Sequence, residues 1–146
     1  MNIVVTGGLV FIGSAFVRYA SNQGAHCTVI DNMTYAADQS RLNGYNYDLI
    51  LKDICEDVSW ACKDAHYVVN FAAESHVDRS IKDGKPFLKS NIEGTFNMLE
   101  IARQIPTLKK FIQISTDEVY GDIDGFWDGE ADSSTLLDPS SYYSAT

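Results

Sequence analysis

Basic residues are scarce in this sequence. Its 146 residues include 11 Lys and Arg against 20 Asp and Glu, which gives a formal net charge of −9. Proteins that bind nucleic acid need Lys and Arg to neutralise phosphates, so this composition argues against a nucleic-acid partner. The charge is also uneven, because residues 117–146 contain eight acids and no Lys or Arg. We interpret this acidic end as a solvated loop.

Cysteine is scarce as well. Cys27, Cys55 and Cys62 are the only three, and none of them forms a Cys-x-x-Cys pair. The sequence therefore predicts neither a disulfide framework nor a metal site. An odd number of cysteines without a framework is typical of a reducing compartment, and we predict a cytoplasmic location.

Long apolar runs are missing too. The apolar stretch Val4–Val17 contains three glycines and no basic leader. It is too short to span a bilayer and does not have the pattern of a signal peptide, so we predict no membrane association. Apolar residues make up 45% of the chain and charged residues 21%, a balance typical of one globular domain with a sizeable core.

Strand and helix patterns alternate along the chain. Helices are predicted at Phe11–Ser21, with Gly24 as its C-terminal stop, and from Pro86 to about Gln104. Buried strands are predicted at Asn2–Thr6, His26–Ile30, Tyr47–Leu51, His66–Ala73 and Lys110–Ser115. This alternation predicts an α/β fold, with a doubly wound parallel sheet that carries helices on both faces. Active sites of such sheets lie at the carboxyl ends of the strands.

A glycine-rich turn joins the first strand to the first helix. Gly8, Val10 and Gly13 occupy the positions of a Gly-x-Gly-x-x-Gly dinucleotide motif, in which the second glycine lets the backbone approach the pyrophosphate. Position 10 departs from this motif, because it is Val rather than Gly. The Val10 side chain would crowd the phosphate. If the turn needed a positive φ there, the strain would be about 1–3 kcal/mol. Asp31, at the end of the second strand, is placed to bind an adenosine ribose and favours NAD over NADP.

Several segments resemble the extended short-chain dehydrogenase/reductase family, and within it the dTDP-glucose 4,6-dehydratases. The resemblance covers essentially the whole chain, and its most specific parts are residues 71–80 and 115–121. The segments are Thr6–Gly8, Phe11–Ser14, Asp31–Ala36, Asp53–Ile54, Phe71–Ser80, Asn91–Thr95 and Ser115–Gly121. The resemblance implies a Rossmann-type fold that binds NAD and a nucleotide-sugar substrate.

The resemblance also implies a reaction. Members of this group convert dTDP-glucose to dTDP-4-keto-6-deoxyglucose by removing water from C5 and C6. Their bound NAD takes a hydride from C4 and returns it at C6. By this resemblance, the cofactor would contact Gly7, Phe11, Ile12, Gly13, Asp31, Asn32, Met33, Thr34, Asp53, Ile54, Ala72, Ala73, Ser75 and Ser90.

Four side chains match the catalytic positions of these enzymes. Tyr143 would deprotonate the 4-hydroxyl group, and Thr116 would hydrogen-bond the same oxygen. Glu118 would take the C5 proton, and Asp117 would protonate the departing C6 hydroxyl. Ser75 and Thr116 would also bind the substrate. Neighbouring residues of a strand point to opposite faces, so Asp117 and Glu118 can reach one substrate only if strand geometry ends after Ser115.

Tyr143–Thr146 begin a Tyr-x-x-x-Lys motif whose lysine would be the next residue. We therefore expect residues 1–146 to form an incomplete NAD-binding domain that lacks the last strands of the sheet and a C-terminal substrate domain. Alone, this chain is expected to be inactive, and the intact protein to be a homodimer. Two alternatives stay open: a non-catalytic nucleotide-binding fragment or pseudoenzyme, and another nucleotide-sugar dehydratase or epimerase of the same family.

Overall fold

The computed structural model of the protein describes residues 1–121, 131 and 134–146. The rest of the acidic segment, residues 122–130 and 132–133, lies outside the described residues. The described strands form one parallel sheet in the order β3-β2-β1-β4-β5. They are β1 (Asn2–Thr6), β2 (His26–Asp31), β3 (Tyr47–Leu51), β4 (Tyr67–Asn70) and β5 (Lys110–Gln113). The predicted α/β class with a Rossmann-type parallel sheet is confirmed.

Helices cover both faces of this sheet. They are α1 (Phe11–Asn22), α2 (Ser59–Cys62), α3 (Val77–Lys82), α4 (Lys85–Phe87), α5 (Thr95–Ala102) and α6 (Tyr142–Ala145). A π-helical segment, Leu88–Gly94, joins α4 to α5 without a break, because the residues at both junctions keep helical φ and ψ. The helix predicted from Pro86 is thus one continuous element with a wider central turn. No helix in the described ranges is long and apolar enough to cross a membrane.

Two apolar clusters hold the layers together. Ile3 and Val5 of β1 point to one face and meet Val17 of α1, whereas Val4 points to the other face and meets Met98 of α5. This alternation follows from the period of two in a strand. Burying each such side chain stabilises the fold by about 1.5–3 kcal/mol. The sheet therefore has an apolar core on each face, and polar side chains lie at the ends of its strands.

The sequence predicts the long helix from the apolar stripe Leu88, Ile92, Phe96, Leu99 and Ala102, but of these five only Ala102 is buried. The other buried positions of the helix include Phe87, Gly94, Met98 and Ile101. The exposed stripe Leu88, Ile92, Phe96 and Leu99 is 46–64% exposed. An apolar surface of this kind on a helix is typical of an interaction surface.

Strands β4 and β5 end earlier than predicted, at Asn70 and Gln113 rather than at Ala73 and Ser115. Polar side chains connect the strands at this level. The Thr6 hydroxyl donates to Asn70 Oδ1, and Asn70 Nδ2 donates to Gln113 Oε1 at 2.8 Å. These bonds satisfy buried polar groups just below the carboxyl edge of the sheet. Beyond them, the chain segments leave strand geometry and separate.

Candidate functional site

An open cleft of about 740 Å³ lies at the carboxyl ends of the strands. Its walls come from the turn after β1, the loops after β2 and β4, the segment after β5, and α6. A second pocket of about 40 Å³ adjoins the cleft beside the end of β2. Val10, Thr34, Ala72, Ala73 and Glu74 line both spaces and therefore form the boundary between them.

The packing of the glycine turn requires its glycines. A Cβ on Gly8 would lie 2.7 Å from a methyl group of the buried Val29. Gly7 has a φ of 63°, and a Cβ there would lie 2.7 Å from the Ala72 nitrogen. A Cβ on Gly13 would lie 2.1 Å from the Gly7 carbonyl oxygen, so the first helix can approach the turn this closely only with glycine. Val10 is different, because its φ of −77° and ψ of 171° are extended. The strain considered for a positive φ at Val10 therefore does not arise.

Asp31 is buried at the end of β2 and is 5% exposed. Its Oδ2 accepts a hydrogen bond from the Leu9 N–H at 3.0 Å, and its Oδ1 accepts one from the Met33 N–H at 2.8 Å. The carboxylate thus fixes both the glycine turn and the loop after β2. Asp31 also lines the smaller pocket, and a carboxylate can accept further hydrogen bonds beyond these two.

Arg41 is a contributor that the sequence did not indicate. Its Nη1 donates to the Leu9 carbonyl at 2.8 Å and to the Ala36 carbonyl at 2.9 Å. The Asp38 N–H also donates to the Leu9 carbonyl, at 3.0 Å. Nothing in the spacing of a single arginine in a loop indicates such a brace, because its partners are backbone atoms of other segments.

Asp53 and Ile54 lie at the end of β3, where the helix passes. Partial burial raises the pKa of Asp53, but hydrogen bonds from the Cys55 N–H and from Lys89 Nζ, at 3.0 Å, outweigh it and hold the pKa below its ordinary value. Ile54 is buried and packs against Gly94. A Cβ on Gly94 would lie 2.6 Å from Ile54 Cδ1. Ser90, on the π-helical segment, lines the smaller pocket.

The loop after β4 is held in place by Asn91. Its Oδ1 accepts a hydrogen bond from the Glu74 N–H at 2.9 Å, and its Nδ2 donates to the Glu74 carbonyl at 3.0 Å. The same Nδ2 lies 3.0 Å from Thr146 Oγ1. Asn91 therefore joins the long helix, the loop after β4 and the end of α6 around one side of the cleft.

A second contact closes the rim between the loops after β2 and β4. The Arg79 guanidinium stacks over the Tyr35 ring at 3.7 Å, and the Tyr35 hydroxyl donates to Glu74 Oε2 at 3.3 Å. Partial burial and then the negative charge of Glu74 raise the pKa of Tyr35. Sequence reasoning missed this cluster, because Tyr35 lies 39 residues from Glu74 in sequence and still farther from Arg79.

Thr116 and Tyr143 lie in the same cleft. Thr116 Oγ1 accepts a hydrogen bond from the Glu118 N–H at 3.3 Å and caps a short 3₁₀ helix, Asp117–Tyr120. Ser141 and Ser144 form a capping box that starts α6, and the Tyr143 ring packs edge-on against Phe87 with centroids 6.3 Å apart.

Asp117 and Glu118 are exposed and do not line the cleft. Since β5 ends at Gln113 and a 3₁₀ helix begins at Asp117, the strand alternation that would separate these two side chains does not apply. Both carboxylates therefore lie at the rim, next to Thr116.

The two spaces divide the other predicted residues between them. Those that line the cleft are Phe11, Ile12, Thr34, Ala72, Ala73, Ser75, Thr116 and Tyr143. Those that line the smaller pocket are Gly7, Asp31, Asn32, Thr34, Ile54, Ala72, Ala73 and Ser90. Gly13, Met33 and Asp53 line neither and act on the site through backbone and packing contacts. Within the described ranges, no three His, Cys, Asp or Glu side chains are grouped so that they could hold a metal ion.

Known proteins match this chain over nearly its whole length. The model of the NAD dependent epimerase/dehydratase family matches residues 3–146. The low-salt glycan biosynthesis protein Agl12 of Haloferax volcanii is 44% identical over 153 residues, covering 100% of the chain and 48% of that protein. A probable dTDP-glucose 4,6-dehydratase of Sinorhizobium fredii is 40% identical and covers 100% of the chain and 46% of that protein. The chain thus spans about half the length of the curated relatives it matches.

Solved structures match equally well. The dTDP-glucose 4,6-dehydratase DesIV from Streptomyces venezuelae, with NAD and TYD bound, has a TM-score of 0.89 and 35% identity. The match covers 99% of this chain and 48% of that one. UDP-sugar 4-epimerases also occur among the matching structures. The resemblance to dTDP-glucose 4,6-dehydratases, stated from sequence motifs, is confirmed.

Proposed function

Because the chain belongs to the NAD dependent epimerase/dehydratase family, we propose that it forms the cofactor-binding half of an NAD-dependent dTDP-glucose 4,6-dehydratase. The observation that carries this proposal is the single cleft that connects the glycine turn to Thr116 and Tyr143. A cofactor on the turn and a sugar at Thr116 would then meet in one space. The chain matches about half of each relative. We assign the full reaction to a protein that also contains the other half.

The residues present fit NAD. Gly7 and Gly13 close the turn tightly, and Val10, at the N-cap of α1, provides no side-chain cap for the first amides of the helix. These amides and the positive end of the helix are suited to a pyrophosphate. Asp31 at the smaller pocket is suited to the 2′- and 3′-hydroxyls of an adenosine ribose and would repel the additional phosphate of NADP. A cleft of about 740 Å³ is within the range of small-molecule sites.

The protein side chains divide the remaining work. Bound NAD would accept and return the hydride of the reaction. Thr116 would donate a hydrogen bond to the sugar 4-hydroxyl oxygen, and Tyr143 would remove the proton from that oxygen. Glu118 would take the C5 proton, and Asp117 would deliver a proton to the departing C6 hydroxyl. Asp117 and Glu118 stand at the rim, so they would act on the part of the sugar farthest from the turn.

Partner and location proposals follow from the same family membership. We propose that the intact protein is a homodimer, since the exposed stripe Leu88, Ile92, Phe96 and Leu99 offers an apolar surface. The cytoplasmic location that the three cysteines favour stays a prediction. Cys27, Cys55 and Cys62 are free thiols.

One observation favours a second candidate, a nucleotide-binding protein without catalysis. The Val10 side chain stands at the boundary of the two spaces that a dinucleotide would have to cross. The two candidates differ in what a protein with both halves does to dTDP-glucose.

Two measurements test the proposal. Calorimetric titration of this chain should give binding of NAD and much weaker binding of NADP, and Asp31→Ala should reduce that preference. A protein containing both halves should convert dTDP-glucose to a product lighter by one water, as detected by mass spectrometry. Thr116→Val in that protein should slow the conversion while NAD binding is retained. An unchanged sugar in the presence of bound NAD would favour the non-catalytic candidate.

A further inference from the structure

Val10 is a position of the glycine turn at which a side chain faces ligand space rather than the fold. At Gly7 and Gly13 there is no room for a side chain, because an added Cβ would lie 2.7 Å and 2.1 Å, respectively, from backbone atoms. Val10 is half-buried, has an extended backbone and lines both the cleft and the smaller pocket. The fold therefore accepts a side chain at this position, and the ligand has to accommodate it.

Hydrogen bonds hold the backbone of Val10 and of its neighbour Leu9 in place. The Val10 N–H donates to the Gly7 carbonyl at 3.3 Å, and the Val10 carbonyl accepts from the Ser14 N–H at 2.9 Å. The preceding residue, Leu9, is buried and holds Asp31 through its N–H and Arg41 through its carbonyl. Moving Val10 aside would break buried hydrogen bonds, and a β-branched side chain has few rotamers with which to withdraw.

We propose that Val10 divides the dinucleotide groove and thereby determines which ligands bind well. Adenosine, which has no phosphate, can place its ribose at Asp31 without passing the Val10 methyl groups. A dinucleotide must cross the boundary with its pyrophosphate, and the Val10 side chain limits how closely that pyrophosphate approaches the first amides of α1. Val10 therefore weakens the binding of dinucleotides relative to that of adenosine. This inference rests on the proposed function, because it takes the groove to be a nucleotide site.

The chemistry of the two spaces supports this division. The smaller pocket is lined by polar groups that suit the hydroxyls of a ribose, among them Asp31, Asn32, Lys52 and Ser90. The larger cleft contains Thr116 and Tyr143, together with the exposed side chains of Phe11 and Ile12. Only Val10 and four residues from the loops after β2 and β4 line both spaces. Among these five, Val10 alone belongs to the turn that should hold the pyrophosphate.

The test measures the dissociation constants of NAD and adenosine by calorimetry for wild type, Val10→Gly and Val10→Ala. Recovering one charge-assisted hydrogen bond to a phosphate should lower the Kd of NAD about tenfold or more in Val10→Gly, and less in Val10→Ala. The Kd of adenosine should stay within about twofold. Val77→Ala is the matched control, because Val77 is a half-buried valine that lines neither space and should change neither constant. Thermal unfolding without ligand verifies that each variant is folded.

Each result decides a different point. Tighter NAD binding with unchanged adenosine binding supports the division. Equal tightening of NAD and adenosine, or an unchanged NAD constant in folded Val10 variants, overturns it and leaves the proposed function in place. If NAD binds to none of the folded proteins, the proposed cofactor function is wrong and the inference fails with it.

Discussion

Replacing Asp31 with Asn should destabilise the protein even when no nucleotide is present. The Asp31 carboxylate accepts from two backbone donors, the N–H groups of Leu9 and Met33, at 3.0 and 2.8 Å. An Asn side chain has nearly the same shape but only one acceptor oxygen. It keeps one of these bonds, and it turns an NH₂ group towards the other buried donor. A hydrogen bond to a charged group contributes about 1.5–3 kcal/mol, and an unpaired buried donor costs about 1–3 kcal/mol.

We therefore expect Asp31→Asn to lower the free energy of unfolding by about 2–4 kcal/mol. For a domain of this size, this corresponds to a decrease in Tm of about 6–12 °C. Urea unfolding followed by circular dichroism, without nucleotide, measures it. Asp48→Asn is the control, because Asp48 is exposed and its ion pair within the described residues is with His26 at 2.9 Å. It should cost no more than about 0.5 kcal/mol. If both variants unfold at the wild-type urea concentration, Asp31 does not hold the turn.

Three further predictions concern the fold around the site. Gly13→Ala should unfold at a markedly lower temperature, since its Cβ would lie 2.1 Å from a carbonyl oxygen, whereas Gly44→Ala, with φ of 85° and open space, should lose only about 1 kcal/mol. Asp53→Asn should be less stable than wild type at pH 7. Because folding lowers the pKa of Asp53 below its ordinary 3.8, this difference should disappear as pH falls below that value, which acid titration of unfolding measures. Met98→Ala should lose about 2–5 kcal/mol from a fully buried position, while Leu99→Ala, from a half-exposed one, should lose less than about 1 kcal/mol in the same urea assay.

The first three strands and the first helix could be predicted from local sequence patterns. β1, β2 and β3 lie within one residue of their predicted bounds, because each is a short apolar run that ends in polar or glycine residues. The first helix ends where Gly24 takes a φ of 77°. The alternation of these elements was enough to predict the parallel sheet and the position of the cleft at its carboxyl edge.

Features that depend on distant partners could not be predicted. Arg41 acts through carbonyls of the turn and of the loop after β2, and Asn91 acts through the backbone of Glu74, 17 residues away. The π-helical segment changes which side chains of the long helix face the core, and an apolar period of 3.6 residues contains no signal for it. The backbone angles of Val10 likewise depend on hydrogen bonds to Gly7 and Ser14, which the residue type alone does not indicate.

The central position of β1 has a consequence for the folding rate. β1 pairs with β2, which follows it after one helix, but also with β4, where Ile3 meets Tyr67. The first pairing closes a short loop, whereas the second must close one of about 60 residues, which costs more chain entropy before any contact compensates. We expect β1, α1 and β2 to assemble first and the docking of β4 to limit the rate. Until β4 docks, β1 presents an open edge on which another chain can pair.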